Sequence, residues 1–216
     1  MAWMLQPPTC PKDGWNYDNR VEGSVDHKLI KRCERLLIRM RRSWFPLLRR
    51  AKDTRPIHRS MFRWLTPWRL GYFAGNYRGD ARHHCLKTYF VGVGGDAMVG
   101  SHAEHVELDM HVLSELIEAG AEALDDQVPI LTSQQHLYRT VEVVSAILVS
   151  FLEVHPYADG NGHMGRFIVW AFLLQAGYEP KAWPLEQRPP YGSLLYDYRR
   201  GHTDEMHRFM LKCIAG

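Results

Sequence analysis

Two apolar helices joined by a short glycine-containing turn are the feature that most restricts how this chain can fold. Residues 134–154 form a helical pattern that is apolar on nearly every side, with Val141, Val144, Ile147, Leu148 and Phe151 at its centre, and a helix of that kind is buried. Pro156 ends it, because proline has no N–H to donate, and Gly160 and Gly162 allow the positive φ of a tight turn. Helical periodicity resumes over residues 163–176. We therefore expect a buried helix–turn–helix at the centre of the fold.

The rest of the chain predicts further helices and one small hairpin. Helical patterns cover residues 25–42, 56–70, 103–119 and 203–214. Residues 88–100, TYFVGVGGDAMVG, alternate β-formers around a Gly-Gly-Asp turn signal. The expected fold class is mainly α with a small β-hairpin.

Composition favours one core without a membrane span. Hydrophobic residues make up 45% of the 216 positions, which is enough for a single well-filled domain. The longest apolar stretch, near residues 143–152, is about half a membrane span. Cys10, Cys33, Cys85 and Cys213 show no CxxC spacing, as expected of thiols in a reducing compartment. The prediction is a soluble cytoplasmic protein, although a secreted effector exported without a cleaved leader has the same composition.

Basic residues are concentrated in residues 28–59, which hold twelve Lys or Arg against Glu34 and Asp53. Such a segment suits nucleic acid or an acidic partner surface. The interpretation we favour is a solvated face of amphipathic helices, because apolar residues recur beneath the charges and no nucleic-acid motif accompanies them. Five histidines are likewise expected to be surface residues rather than a metal site, because no set of four ligands is evident. They are His83, His84, His102, His105 and His111.

The turn HPYADGNGHMGR, residues 155–166, brings together groups that suit phosphate chemistry. A glycine-rich turn that opens a helix presents unpaired N–H groups to an anion. Arg166, one turn into the helix, is placed to clamp a phosphate, and Asp159 beside a polyphosphate is a natural Mg²⁺ ligand. His155 suits a general base. These residues indicate transfer of a phosphorus-centred group from a nucleotide.

The same residues resemble the signature of the Fic family, H-P-F-x-[D/E]-G-N-G-R-x-x-R, with Tyr157 for Phe and His163 for the first Arg. The resemblance extends to IHRSMF…YFAGNYRG (57–79), to residues 88–100, where Fic proteins carry a hairpin flap, and to YGSLLYDY (191–198), where a tyrosine helix follows. It divides the chain into an N-terminal strip and basic helix (1–55) and a Fic domain (56–216).

The resemblance implies transfer of AMP from ATP to a Ser, Thr or Tyr hydroxyl of a target protein. His155 would be the base, Asp159 would hold Mg²⁺, and Gly160, Asn161 and Gly162 would steady the α-phosphate. Arg166 would contact an outer phosphate, and the flap 88–100 would dock the target by strand addition. No membrane partner is implied, nucleic acid is disfavoured, and a homo-oligomer is compatible with the sequence.

Two positions depart from the family pattern and leave alternatives open. His163 replaces a permanently charged guanidinium, so the grip on the β-phosphate is expected to weaken or to depend on pH. The alternatives are a weak or silent nucleotide-binding scaffold, or transfer of a different nucleotide. Glu22-Gly23 resembles the end of the family's inhibitory motif, [S/T]-x-x-x-E-[G/N], but Asp18 stands at the Ser/Thr position. Glu22 is therefore an inhibitory candidate, and the alternative is a plain surface acid.

Overall fold

The two apolar helices lie at the centre of the fold, as their pattern predicts. α5 (Ser133–Val154) begins with a capping box in which Thr132 Oγ1 accepts from Gln135 N and Gln135 Oε1 accepts from Thr132 N. α6 (Asn161–Gln175) packs along it. The two backbones approach closely at Gly165, where an added Cβ would lie 2.9 Å from Leu148 Cδ1. Gly165, which has no side chain, therefore allows α5 and α6 to pack at this short distance.

Six further helices surround this pair in a computed structural model that describes residues 9–11, 15, 24–91, 99–127, 131–180 and 191–215. They are α1 (Ser24–Met40), α2 (Leu47–Lys52), α3 (Arg55–Phe62), α4 (Val106–Gln127), α7 (Tyr191–Arg199) and α8 (Asp204–Ala215). α4 and α8 pack against α5, and α2 packs against α6 and α4. The mainly helical prediction is confirmed. Within these ranges no helix combines the length and the apolar character needed to cross a bilayer.

Two helix boundaries differ from prediction for local reasons. The helix expected over 56–70 ends at Phe62 and continues only as a 3₁₀ turn, Arg63–Leu65, because Pro67 disfavours helical backbone at the residue before it. The helix expected over 103–119 instead runs through Gly120 to Gln127. An added Cβ on Gly120 would lie 2.8 Å from Val143 Cγ1, so this glycine is a packing contact between α4 and α5 rather than a helix end.

The hairpin prediction for residues 88–100 is not supported. Its described residues, 88–91 and 99–100, contain no strand, and residues 92–98 lie outside the described part of the chain. The backbone donors beyond the turn are used elsewhere, because Gly100 N donates to Glu153 O (2.8 Å) and Ser101 N to Val154 O (3.2 Å). The C-terminal end of the segment is therefore fastened to the C-terminal end of α5.

The expectation of four free thiols is wrong for one pair. Cys10 and Cys85 form a disulfide across 75 positions, with Cα atoms 5.4 Å apart. Cys33 and Cys213 remain free. Spacing along the sequence gave no indication of the bond, because only the fold brings residue 10 to residue 85.

The basic helix is amphipathic as expected. On α1 the Lys31, Arg35 and Arg39 side chains are exposed while Leu29 and Met40 are buried. Ile30 is one of the apolar residues that were expected beneath the charges of this helix, but its side chain is 54% exposed.

Candidate active site

His155 ends α5 in a conformation that few side chains adopt. Its backbone has φ 51° and ψ 58°, the left-handed region that costs a non-glycine residue about 1–2 kcal/mol. Its imidazole Nδ1 lies 2.8 Å from Leu152 O. A carbonyl oxygen can only accept, so Nδ1 carries the hydrogen and Nε2 has the free lone pair. Burial lowers the pKa of His155, and the field of Arg78 acts in the same direction, although the hydrogen bond to Leu152 O opposes both. The ring is therefore a neutral base at physiological pH.

A buried arginine holds this strained residue in place. Arg78 is 2% exposed, and it donates from Nε to His155 O (2.7 Å) and from Nη2 to Val154 O (2.8 Å). Its backbone N donates to Pro156 O (2.8 Å). Arg78 thus supplies donors to three consecutive carbonyls, and two of them, Val154 O and His155 O, are ones that a helix end leaves without intrahelical partners.

The next part of the turn rests on His58, which is fully buried. Its Nδ1 accepts from Gly75 N (3.0 Å), so Nε2 carries the hydrogen and donates to Asp159 O (2.8 Å). Burial lowers the pKa of His58 to about 3, which keeps the ring neutral and this tautomer fixed. The ring also stacks on Tyr157, with centroids 3.8 Å apart.

Tyr157, the residue that replaces the signature phenylalanine, is accommodated by a specific partner. Its side chain is fully buried, and its hydroxyl lies 2.7 Å from Thr54 Oγ1, which is also fully buried. A buried hydroxyl without a partner would be costly. Thr54 therefore explains how tyrosine fits a position where the family signature has an apolar ring.

Gly160 and Asn161 close the turn. Gly160 has φ 80°, and an added Cβ would lie 2.7 Å from the Phe62 ring, so only glycine fits. The Asn161 amide is buried, accepting from Tyr157 N (2.9 Å) and donating to Tyr157 O (2.8 Å). Both polar side-chain atoms thus hold the turn, and the second Nδ2 hydrogen and the backbone N–H are the donors that remain for a phosphate. The phosphate role of Gly160, Asn161 and Gly162 stays a prediction.

The N-terminus of α6 is arranged to receive an anion. Gly160 is its N-cap and supplies no side-chain hydrogen bond, so the first N–H groups of the helix have no side-chain cap. Arg166, one turn further on, is 8% exposed, and its Nε is buried with no hydrogen-bond partner in the described part of the chain. A buried donor left without an acceptor is unfavourable. A phosphate oxygen at this end of the helix would be able to accept from it.

His163 and Arg166 line one small cavity beneath α1, together with Cys33, Leu37 and Met61. His163 also meets the edge of the Phe62 ring at 5.5 Å between centroids. The structure therefore places the substituted residue of the signature on the same side as Arg166. Whether it contacts a β-phosphate stays a prediction.

The Asp159 carboxylate fits the metal role that the sequence suggested. It is half-buried beside the helix N-terminus, and its Oδ1 accepts from Gly160 N (2.7 Å). Carboxylate oxygen is the donor type that Mg²⁺ prefers, with phosphate oxygens and water completing its coordination. A position next to the uncapped N-terminus of α6 is compatible with that role, which stays a prediction.

His58 and Arg78, which support the turn, were not identified from the sequence. The sequence did suggest Glu22, which lies outside the described residues. His58 and Arg78 fell inside the segment 57–79 that resembles the family, but their roles depend on partners 101 and 77 positions away. Their position inside that segment was the only available signal. Most of the predicted flap also lies outside the described residues.

Comparisons with known proteins agree with this geometry. The model of the Fic/DOC family matches residues 50–173. The protein adenylyltransferase Fic of Drosophila mojavensis is 28% identical over 82 residues, 38% of this chain and 16% of that protein. The Drosophila melanogaster protein of the same name is 34% identical over 62 residues, 29% of this chain and 13% of that protein. The chain thus spans less than a fifth of the curated relatives it matches.

Two solved structures share the fold. BepC, a translocated effector of Bartonella tribocorum crystallised with AMPPNP, superposes with a TM-score of 0.58 at 15% identity, covering 87% of this chain and 86% of that one. The Fic domain of an effector from Bartonella sp. AR 15-3 gives the same TM-score at 13% identity, over 90% and 83% of the two chains. Identities this low establish the fold alone. The family match covers more than half of the chain and includes His58, Arg78 and the whole turn 155–166, and the chain therefore belongs to the Fic/DOC family.

Proposed function

We propose that this protein transfers AMP from ATP to a hydroxyl side chain of a target protein. The observation that carries the proposal is the combination, within one turn, of a neutral imidazole and a helix N-terminus without a side-chain cap. A base and an anion site on adjacent residues suit attack by a hydroxyl on a bound phosphate. The family match and the AMPPNP bound to BepC support ATP as the donor.

In the proposed reaction His155 Nε2 removes the proton of the target hydroxyl as its oxygen bonds to the α-phosphorus. The bond from that phosphorus to its bridging oxygen breaks, and pyrophosphate leaves. The N–H groups at the start of α6 hold the α-phosphoryl oxygens, and Arg166 binds an outer phosphate. Asp159 would hold Mg²⁺, which when bound would supply positive charge to the phosphates. His58 and Arg78 contribute by fixing the backbone on both sides of the base.

The experiment uses ATP labelled on either the α- or the γ-phosphate, incubated with Mg²⁺, the protein and a lysate. Label transferred from the α position alone is expected for AMP transfer, whereas transfer from the γ position would indicate phosphorylation. His155→Ala should lower transfer by about 10²–10⁴ while nucleotide still binds. His105→Ala, at an exposed histidine, is the matched control and should label like wild type. Binding of ATP with no transfer by wild type would favour the silent scaffold.

Donor choice and target docking are separate parts of the proposal. Competition by unlabelled GTP, CTP and UTP should reduce α-labelling less than ATP does, and an equal effect would indicate a different nucleotide. We propose that the target contacts residues 88–100, whose last residue, Gly100, bonds to Glu153 O two residues before His155. Replacing exposed Phe90 with Ala should raise KM for the target and leave ATP binding unchanged.

Inhibition by Glu22 remains a prediction with a defined geometric requirement. Glu22 precedes α1, which begins at Ser24, and inhibition requires its carboxylate to pair with Arg166. If it does, Glu22→Gly should increase labelling several-fold and Arg166→Ala should cancel the gain. Unchanged labelling by Glu22→Gly would make Glu22 a surface acid.

A further inference from the structure

Three ligand atoms of metal-binding type meet at a point that the proposed nucleotide chemistry does not use. They belong to Cys10, His84 and Cys85, and all lie within 4.8 Å of one another. In the structure the two sulfurs are joined as a disulfide. Cys85 is buried, Cys10 is half-buried and His84 is exposed. The cluster is thus anchored in the protein on one side and open to solvent on the other.

The disulfide is not the only contact that brings these residues together. Trp15, five residues after Cys10, is 4% exposed, and it donates from its backbone N to Tyr89 Oη and from Nε1 to Leu65 O (3.2 Å). On the other side, Leu86 N donates to His83 O (2.9 Å), and Gly79 N donates to Leu86 O (2.8 Å). Both halves of the cluster are therefore fastened to the core independently of the sulfur–sulfur bond.

We propose that, when the disulfide is reduced, Cys10, Cys85 and His84 form a Zn²⁺ site. Thiolate and imidazole ligands bind Zn²⁺ in preference to Mg²⁺ or Ca²⁺, which favour oxygen ligands. Three protein ligands leave a fourth tetrahedral position, which the open side of the cluster makes accessible to water. The site is separate from the proposed transfer reaction, and neither depends on the other.

Conversion of the disulfide to the zinc-bound form takes two steps, reduction and metal binding. A dithiol or phosphine reductant supplies two electrons to the disulfide and is itself oxidised, and water or the dithiol supplies the two protons of the new thiols. Zn²⁺ then displaces those protons to solvent and accepts a lone pair from neutral His84. Disulfide and zinc are mutually exclusive, and each ties residue 10 to the turn at residues 84–85.

The test uses the full chain, reduced with a phosphine under anaerobic conditions and titrated with Co²⁺ as a spectroscopic probe and then with Zn²⁺. One Co²⁺ per chain should bind with thiolate-to-cobalt charge-transfer absorption, and Zn²⁺ should displace it. Zn²⁺ should also raise the Tm of the reduced protein but not of the oxidised protein. The absence of a charge-transfer band in reduced wild type would overturn the proposal.

Variants identify the ligands. Cys10→Ser should abolish the band, and Cys33→Ser combined with Cys213→Ser should leave it intact. His84→Ala changes an exposed residue, so it should fold normally. Since loss of an outer-shell partner alone costs about 10–100-fold in metal affinity, removal of a direct ligand should weaken Co²⁺ binding at least tenfold. Unchanged affinity in His84→Ala, or a band that follows Cys33 or Cys213, would show that the assignment is wrong.

Discussion

Replacing Arg78 with methionine should remove the support of the turn at a large and measurable cost. Methionine fills similar space but donates no hydrogen bond. It would leave the carbonyls of Val154 and His155 without the two short bonds that Arg78 makes at 2.8 Å and 2.7 Å. Burial lowers the pKa of Arg78 to about 10, so the residue is charged at neutral pH and both bonds are charge-assisted.

The magnitude follows from these two bonds. A hydrogen bond to a charged group contributes about 1.5–3 kcal/mol, so the pair contributes roughly 3–6 kcal/mol. Removal of a buried charge offsets part of this loss, and a net decrease of about 3 kcal/mol in the free energy of unfolding is expected. For a chain of this size each kcal/mol moves Tm by about 2–4 °C. Arg78→Met should therefore melt roughly 6–12 °C below wild type.

Circular dichroism melts and urea titrations of four proteins measure the effect. Arg78→Lys retains a charge but cannot reproduce the guanidinium fork, so its Tm should fall between those of wild type and Arg78→Met. Arg82→Met is the matched control, because the Arg82 side chain is 77% exposed and pairs with nearby Asp80 on the surface. Its Tm should equal that of wild type. A loss in Arg78→Met no greater than in Arg82→Met would refute the role assigned to the buried arginine.

Three further changes test other parts of the site. Gly160→Ala should lower the free energy of unfolding in urea by more than the about 1–2 kcal/mol of a left-handed residue, because the new Cβ also meets Phe62; wild-type stability would contradict this. His58 has a pKa of about 3 when folded and about 6.5 when unfolded, so its contribution to stability is present above pH 6.5 and is lost as pH falls, by up to about 1.4 kcal/mol per pH unit. Urea titrations from pH 7 to 4 should show a shallower slope for His58→Gln, and equal slopes would argue against a neutral His58. Since burial lowers the pKa of His155, the labelling rate should stay level as pH falls to 6.5 and decline only below it, whereas a decline centred above 6.5 would exclude a buried base. His163→Arg should tighten ATP binding measured by calorimetry at pH 8, because a guanidinium is permanently charged and bidentate; unchanged affinity would place His163 away from the phosphates.

The central helices could be predicted because their signals are local. Apolar periodicity marked α5 and α6, Pro156 marked the end of the first, and Gly160 marked the turn. The end of α3 and the length of α4 were predicted less well. The helical period runs on past Phe62, and Gly120 resembles a helix stop until the close approach of α5 is known.

Contacts between distant parts of the chain could not be predicted. Nothing in the spacing of the cysteines indicated that residue 10 meets residue 85. The sequence motif named His155, but the groups that hold it come from residues 58 and 78. The motif named Asn161 for phosphate, which stays a prediction, but it did not indicate that the Asn161 amide also bonds to the Tyr157 backbone. Residues 88–100 alternate like a strand, yet the backbone after them bonds to a helix end.

The dependence of the turn on His58 and Arg78 limits how far the twelve-residue signature can be treated as a portable module. Grafted alone between two helices of an unrelated bundle, HPYADGNGHMGR would lack the donors for His155 O and Asp159 O, and the helix before it would lack the donor that Val154 O has here. The left-handed histidine would then relax toward ordinary helical or extended backbone. A transplant that includes residues 54–78 together with the signature carries those donors. For protein engineering, the smallest transferable unit of this site is therefore two separate stretches of chain. A mutant library that varies only the signature leaves the supporting residues 54–78 unchanged.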